Sequence, residues 1–321
     1  MLQKVSIIIP NYNGAKYLAD CINSVRAQTY PNIEIIVIDD RSKDDSFKIA
    51  SKIAARDRRV IVKQMPRNGS VGAARNYGVD ISKGDLIMFL DSDDAMPPNA
   101  VEIMTSLQNM VDADIVVAKY AAVPETFCLA NCWLFPPPVF EFAFYDDVFE
   151  YQQSTDPIRF VVCWGKLIKR GALSGVRFLE KVHPHEDTDF MLRLYAGTKA
   201  IVTMPNVAVY YRQSPTSVMG RKKHDHSDSV IKMLQSLAAF TKSKAAPENY
   251  MRFIRQYVYW FLWHYATALA CKNAKMTARL PGVARTAWRL GLLSGARMPW
   301  RNRMRLKLLS YGIGLRGIGN V

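Results

Sequence analysis

The sequence predicts an α/β fold with a mostly parallel central sheet, followed by a helical, basic C-terminal region. Three observations lead to this prediction. Short aliphatic runs without polar alternation recur over the first 120 residues, helical apolar stripes separate them, and acidic or amide side chains follow several of the runs. From residue 251 onward, by contrast, the chain carries basic residues and no acidic ones.

Five runs have the composition of strands that are covered on both faces: residues 5–10, 33–39, 60–64, 86–90 and 115–119. Between the first two runs, one helical stripe is formed by Leu18, Cys21, Ile22 and Val25, and after the second run another is formed by Phe47, Ala50, Ile53 and Ala54. Strands that alternate with helices imply right-handed crossovers and a parallel sheet. This arrangement is typical of nucleotide-binding folds.

The rhythm changes after residue 120, where Pro124, the prolines at 136–138 and several phenylalanines follow one another. We interpret this segment as loop-rich cover over a binding cleft, with buried packing aromatics as the equal alternative. From about residue 224 to the end, the pattern is mostly helical. No repeat or low-complexity tract stands out.

Composition limits the class of protein. The five cysteines are sparse and form no CxxC pair, which argues against a disulfide framework or a zinc site and favours a reducing compartment. The first residues lack the apolar core of a signal peptide, and the apolar stretch 257–271 is shorter than the roughly 20 residues that a spanning helix needs. We therefore expect a cytoplasmic location.

Charge is unevenly distributed along the chain. The net charge is +15, yet thirteen basic residues lie after position 251, so the preceding body holds 30 basic and 28 acidic residues. If the segment after Pro299 is helical, Trp300, Met304, Leu308 and Tyr311 form one apolar stripe beside arginines. Such a helix lies at an anionic membrane surface, where each basic side chain contributes about 1 kcal/mol. Packing of the stripe on the body is the alternative.

Three carboxylates, Asp91, Asp93 and Asp94, follow the fourth strand run within four positions. Open α/β sheets bind ligands at the carboxyl ends of their strands, and hard oxygen ligands suit Mn²⁺ or Mg²⁺ holding a phosphate. A solvated turn is the alternative for this cluster taken alone.

The first two strand ends carry a second group of candidates. Pro10 and Tyr12 end the first run, and Asp39 and Asp40 end the second, so the Tyr12 ring can stack on a base while a carboxylate accepts from its N–H group. The alternative is that Asn11 and Asp40 cap the helices that follow them.

A glycine- and alanine-rich segment, residues 68–78, leads into a helix that carries Arg75. Small side chains allow close approach of a ligand, and the helix start with Arg75 attracts a diphosphate. No Gly-Lys-Ser/Thr follows, so this is not a P-loop. Taken alone, a helix start rich in glycine and alanine is more often a packing device.

These segments, in this order, resemble the inverting glycosyltransferases of family 2, which have the GT-A fold, a Rossmann-like α/β/α sandwich. The resemblance is strong over residues 4–120 and continues loosely to about 220 through CWGKL (163–167), HEDTDF (185–190), YYRQ (210–213) and SVM (217–219). Ser70 stands where many members have glycine. No QxxRW motif of the processive members follows, which favours transfer of one sugar per encounter.

The resemblance implies the following roles. Asp39 and Asp40 bind the nucleoside, Asp91 and Asp93 hold the donor, Asp93 and Asp94 hold Mn²⁺ or Mg²⁺ on the diphosphate, and Asp187 is the catalytic base. Pro10, Tyr12 and Arg75 are further donor contacts. Contacts with the acceptor or the leaving group are expected from Trp164, His185, Glu186 and Arg212.

We thus expect a nucleotide-sugar-binding half (1–120), an acceptor half with the catalytic base (121–223) and a membrane-associating region (224–321). The expected enzyme is an inverting hexosyl- or hexosaminyltransferase that uses a nucleotide sugar, UDP-linked, and a saccharide or lipid-linked acceptor in surface polysaccharide synthesis. It would lie on the inner face of the plasma membrane. The alternatives are a nucleotidyltransferase, or an inactive GT-A body whose basic tail binds nucleic acid or membrane.

Overall fold

A computed structural model describes residues 2–127, 141–173, 175–213, 227–243, 248–270 and 274–293, and the single residues 296, 299, 302, 306 and 307. Its contacts divide the chain into two compact units, one of residues 1–181 with 197–222 and one of residues 182–196 with 223–321. The predicted tail stripe of Trp300, Met304, Leu308 and Tyr311 lies outside the described residues, as does the SVM segment.

The first unit contains one mixed sheet. Its strands are β1 (Val5–Asn11), β2 (Ile33–Asp39), β3 (Val60–Gln64), β4 (Leu86–Phe89), β5 (Ile115–Pro124), β6 (Ala143–Tyr145), β7 (Lys166–Lys169) and β8 (Ile201–Gln213). Their order across the sheet is β3-β2-β1-β4-β7-β5-β8-β6. The pairs β1–β2, β2–β3, β1–β4 and β5–β8 are parallel, whereas every pair that includes β6 or β7 is antiparallel. The predicted mostly parallel sheet is confirmed.

The helices of this unit are α1 (Leu18–Arg26), α2 (Ser46–Ala54), α3 (Val71–Ile81), α4 (Ala100–Val111), α5 (Val148–Ser154), α6 (Pro157–Val161) and α7 (Arg170–Leu173). They cover both faces of the sheet. Ile7 on β1 belongs to the core cluster that includes Ile22 of α1 and Met104 of α4. Ile8 faces the other way and meets α3 at Gly78, where a Cβ would come within 2.4 Å of Ile8 Cγ2.

One predicted stripe position is wrong. Phe47 of α2 is 38% exposed, whereas Ser46 and Ala50 are buried. The buried side of α2 therefore begins one residue earlier. Ser46 occupies that place because its hydroxyl accepts a hydrogen bond from Gly14 N at 3.0 Å, which ties α2 to the loop after β1.

The second unit is helical. Over the residues that the structure describes, its helices include α8 (Glu186–Tyr195), α9 (Ser227–Lys242), α10 (Glu248–Ala270) and α11 (Ala274–Arg289). Helix α9 packs against α8, α10 and α11. No described helix is both long and apolar enough to cross a bilayer.

Candidate active site

The carboxyl ends of β1 and β2 meet, as the sequence predicts for adjacent parallel strands. Asn11 lies opposite Asp39 in the register, and its Nδ2 donates to Asp39 Oδ1 and to Ser42 Oγ, each at 3.1 Å. The other carboxylate oxygen, Asp39 Oδ2, accepts from Ser42 N at 3.1 Å and from Gln64 Nε2 at 2.9 Å. Asp39 is buried and fixed by these contacts. Its expected contact with a nucleoside stays a prediction.

Pro10 and Tyr12 flank this point. Pro10 is buried, and it lies beyond Ile8, the last residue of β1 that pairs with β4. The final hydrogen bond of that pair runs from Leu90 N to Ile8 O. The missing N–H of Pro10 therefore interrupts no hydrogen bond between β1 and β4. Tyr12 follows β1 directly and is 49% exposed, which leaves its ring face available to a ligand.

Asp40 has a different environment from Asp39. Its carboxylate accepts from Gly69 N at 2.7 Å and from Ser70 N at 2.9 Å, and its backbone oxygen accepts from Asn68 Nδ2 at 2.8 Å. Neither Asn11 nor Asp40 caps α1 or α2, so the capping alternative is wrong. Asp40 instead fixes the turn before α3, and its contact with the nucleoside stays a prediction.

Ser70, the N-cap of α3, has a φ of 107° and a ψ of 161°. This region of backbone conformation strongly favours glycine. It explains why glycine suits this position in the family that the sequence resembles. Serine is held there by its hydroxyl, which accepts from Lys181 N at 3.0 Å and from Ala73 N at 3.4 Å.

Arg75 on α3 is buried, and its Nη2 lies 2.8 Å from Asp91 Oδ1. The guanidinium also lies over the ring of Phe178, at 5.3 Å from its centroid. Its charge is therefore compensated by the first carboxylate of the acidic cluster. Direct contact between Arg75 and a diphosphate stays a prediction.

The acidic cluster forms a tight turn after β4, in which Asp94 N donates to Asp91 O at 3.0 Å. Burial, followed by the charge of Asp91, raises the pKa of Asp93 to about 6. Burial and the charges of Asp93 and Asp91 raise the pKa of Asp94 well above its usual range. The turn therefore holds more negative charge than its surroundings stabilise.

These residues fit a divalent cation. Asp94 Oδ2 is buried and has no hydrogen-bond partner in the described part of the chain, and a cation would both satisfy it and offset the charge of Asp93. The described residues contain no group of three acidic, histidine or cysteine side chains that could form a complete metal cage. That is consistent with Mg²⁺ and Mn²⁺ sites in which one or two carboxylates act together with substrate phosphates.

Two predicted acceptor contacts lie beside this turn. Trp164 is buried and stacks on Tyr211 with centroids 5.6 Å apart, while Tyr120 meets both rings edge-on. Arg212, the last residue but one of β8, is buried as well. Its Nε donates to Asp93 O at 2.9 Å, and its backbone N–H donates to Asp94 Oδ1 at 2.9 Å.

The other predicted residues belong to the second unit. Glu186 and Asp187 begin α8, whose N-terminal dipole stabilises negative charge. Glu186 is buried with Oε2 3.3 Å from His183 Nδ1, Asp187 is half-buried, and the His185 ring meets Phe261 edge-on at 5.3 Å. One turn on, the buried Asp189 accepts from Arg193. The expected roles of Asp187, Glu186 and His185 stay predictions.

Sequence reasoning missed several residues of the first unit's site. Gln64 ends β3, and its place at a third parallel strand end was a usable signal. Tyr17 and Glu125 join through a hydrogen bond from the Tyr17 hydroxyl to Glu125 Oε1 at 2.5 Å. They are 108 residues apart, and no local pattern predicts that pairing.

Comparison with known proteins agrees with this geometry. The model of the family described as glycosyl transferase family 2 matches residues 6–174. The putative glycosyltransferase EpsH of Bacillus subtilis is 27% identical over 265 residues, which cover 77% of this chain and 72% of EpsH. The glycosyltransferase GlyG of Streptococcus pneumoniae is 36% identical over 126 residues, 39% of this chain. The match spans only 42% of GlyG, and that to GlyA of the same organism spans 26% of GlyA.

Among solved structures, S. aureus TarS (residues 1–349) in complex with UDP-GlcNAc superimposes with a TM-score of 0.75 at 18% identity, over 97% of this chain and 88% of that one. This likeness confirms the GT-A fold. Because the family model matches more than half of the sequence, the chain belongs to glycosyl transferase family 2.

Proposed function

We propose that this protein transfers a single sugar, with inversion, from a UDP-linked donor to a saccharide or lipid-linked saccharide acceptor in surface polysaccharide synthesis, with the help of Mn²⁺ or Mg²⁺. Membership of the family supports sugar transfer in general. The proposal of a UDP-linked donor and a divalent cation rests on one observation. The strand ends that carry Asn11 and Asp39 and the turn that carries Asp93 and Asp94 follow neighbouring parallel strands of one sheet, an arrangement suited to a base and to a metal-bound diphosphate.

The UDP group is supported by similarity. S. aureus TarS has been solved with UDP-GlcNAc and with UDP, and its fold covers nearly all of this chain. In the proposed site, Asp39 accepts from an N–H group of the base and Tyr12 stacks on it. These contacts would bind the nucleoside in the absence of a cation.

The reaction joins an acceptor oxygen to the anomeric carbon and breaks the bond between that carbon and the diphosphate oxygen. Asp187 takes the proton of the acceptor hydroxyl, and the nucleoside diphosphate leaves from the opposite face of the sugar, which inverts the configuration. A divalent cation bound at Asp93 and Asp94 would supply positive charge to the diphosphate. Arg75 keeps Asp91 in place beside these residues.

Membrane association is the second part of the proposal. The basic residues after position 251 include Arg252, Arg285, Arg289 and Lys307, whose side chains are exposed in the second unit. Arg285 and Arg289 are one turn apart on α11, whose buried positions include Val283 and Ala287. No acidic residue follows Glu248 in the sequence, and a surplus of exposed basic residues favours an anionic lipid surface. A lipid-linked acceptor would be delivered at that surface.

A panel of nucleotide sugars tests the function. Binding and transfer are measured with Mn²⁺ and with EDTA for the wild type, for Asp93→Ala and for Asp45→Ala, a matched control because Asp45 is exposed. We expect the wild type to select one UDP-sugar in the presence of Mn²⁺. Asp93→Ala should lose transfer, and the Asp45→Ala control should transfer sugar like the wild type. A wild type that binds no nucleotide sugar under any condition would refute the proposal.

A further inference from the structure

Arg212 connects the acidic turn to the loop before α1 and to the chain after β5. Its side chain is only 3% exposed, although it carries a full positive charge. A buried arginine that contacts carboxylates and backbone oxygens has a fixed planar geometry, since its N–H groups point in set directions. Each of its contacts therefore places the partner atom.

On one side, Arg212 fixes the two residues proposed to hold the cation. Its backbone N–H bonds Asp94 Oδ1 at 2.9 Å, which sets the orientation of that carboxylate and leaves Oδ2 as the remaining oxygen. Its Nε bonds Asp93 O at 2.9 Å, which fixes the backbone of the turn. The positive charge also opposes the rise in pKa of both carboxylates.

On the other side, Arg212 holds the chain after β5. Its Nη1 donates to Glu125 O at 3.1 Å and to Phe127 O at 2.8 Å. The guanidinium lies over the Tyr17 ring at 4.6 Å from the centroid, and the Tyr17 hydroxyl bonds the Glu125 side chain. The guanidinium of Arg212 therefore joins the loop before α1, the end of β5 and the acidic turn.

We infer that Arg212 is a positioning residue, which holds Asp93 and Asp94 in the arrangement that binds the cation and does not itself touch donor or acceptor. The sequence led us to expect a contact with the acceptor or leaving group. The Nε and Nη1 groups of Arg212 donate to backbone oxygens, and Nη2 lies 3.9 Å from Asp20 Oδ2, so its donor groups are directed at protein atoms. The inference rests on the proposed metal-dependent function.

Metal binding and nucleotide binding, measured separately, test this role. The affinity for Mn²⁺ in the presence of UDP is obtained from the electron paramagnetic resonance signal of free Mn²⁺, and the affinity for UDP in EDTA is obtained by calorimetry. The variants are Arg212→Ala and Arg212→Lys, with Arg58→Ala as a control for loss of an exposed positive charge in the same unit. Thermal unfolding shows whether each variant is folded.

Arg212→Ala keeps the backbone N–H that bonds Asp94 Oδ1 but loses the Nε bond to Asp93 O and the positive charge beside both carboxylates. We expect it to bind Mn²⁺ about 10- to 100-fold more weakly, the usual effect of removing a group that orients metal ligands. Arg212→Lys should stay closer to Arg212→Ala than to the wild type, because a lysine ammonium cannot reproduce the fork that joins Asp93 O to Glu125 O and Phe127 O. Binding of UDP in EDTA should keep its wild-type affinity in both variants, and Arg58→Ala should match the wild type throughout.

Wild-type Mn²⁺ affinity in the folded Arg212 variants would overturn the inference. A parallel loss of UDP affinity in EDTA would overturn it too, because it would indicate donor contact or general damage. If Arg212→Ala does not fold, wild-type Mn²⁺ affinity in Arg212→Lys decides against the inference. A wild type that binds UDP but no Mn²⁺ would refute the metal-dependent function itself, and with it this role of Arg212.

Discussion

Replacing Asp93 by asparagine should stabilise the metal-free protein at neutral pH. Asp93 is half-buried beside Asp91, and these surroundings raise its pKa from 3.8 to about 6. A carboxyl group whose pKa is raised on folding binds its proton more tightly in the folded state. Stability is therefore greatest when the group is protonated and falls as the pH rises from about 4 to about 6.

The size of the effect follows from the pKa. Each pH unit by which the pKa rises corresponds to about 1.4 kcal/mol, so ionised Asp93 costs about 3 kcal/mol of unfolding free energy above pH 6. Asparagine has nearly the same shape and no charge. The variant should match the wild type near pH 4 and exceed its stability by up to about 3 kcal/mol near pH 7.5.

The assay is urea unfolding in EDTA at several pH values between 4 and 8, for the wild type, Asp93→Asn and Asp45→Asn. The control removes one exposed carboxylate and should change stability by less than about 0.5 kcal/mol at every pH. Parallel pH curves for the wild type and Asp93→Asn would refute the argument, because they would mean that folding does not perturb this carboxylate.

Three further predictions concern the base, the packing and the tail. Asp187→Asn should lower the rate of sugar transfer by about 10²- to 10⁴-fold and leave UDP-sugar binding intact; unchanged transfer kinetics would exclude Asp187 as the base. Gly78→Ala should destabilise the protein by about 1–3 kcal/mol in urea unfolding, because the new Cβ would lie 2.4 Å from Ile8 Cγ2. The control, Gly282→Ala on α11, should be neutral or stabilising, because nothing lies within 4 Å of the new Cβ. Equal effects would contradict the close packing of α3 on β1. Arg285→Gln combined with Arg289→Gln should weaken binding to anionic vesicles roughly 30-fold, at about 1 kcal/mol per charge; equal binding of the wild type to zwitterionic vesicles would argue against an electrostatic surface.

The parallel half of the sheet was predictable from local sequence. Strands β1, β2 and β4 are apolar runs covered on both faces, and their composition alone identifies them. Strand β3 was also identified, although it lies at the edge of the sheet and is only partly buried. Strand β7 was not predictable, because it has only four residues, begins and ends with lysine, and pairs antiparallel with both β4 and β5. Strand β5 is longer than predicted and continues to Pro124, since β8 extends alongside it as far as Gln213.

The candidate site was likewise predictable only in part. Asp39 and the acidic cluster were identified because acidic residues directly after an apolar strand are unusual. Gln64 and Glu125 were not identified, because they reach the site through the sheet order and not through sequence spacing. Arg212 was identified, but as a contact with the acceptor or the leaving group and not as a partner of the acidic turn. The identity of Asp40 as a support for the α3 turn likewise depends on a contact with residues 29 and 30 positions away.

The long sequence separation between the acidic turn and Arg212 has a consequence for biosynthesis. Arg212 follows Asp94 by 118 residues, so a ribosome that adds about 5 to 20 residues per second exposes the turn for roughly 6 to 24 seconds before its partner emerges. During that interval β1 to β4 are already available, but the carboxylates lack both the guanidinium and the backbone N–H of Arg212. The turn can adopt its final arrangement only after β8 has been synthesised and has paired with β5, so completion of the site is a late event in the folding of the nascent chain.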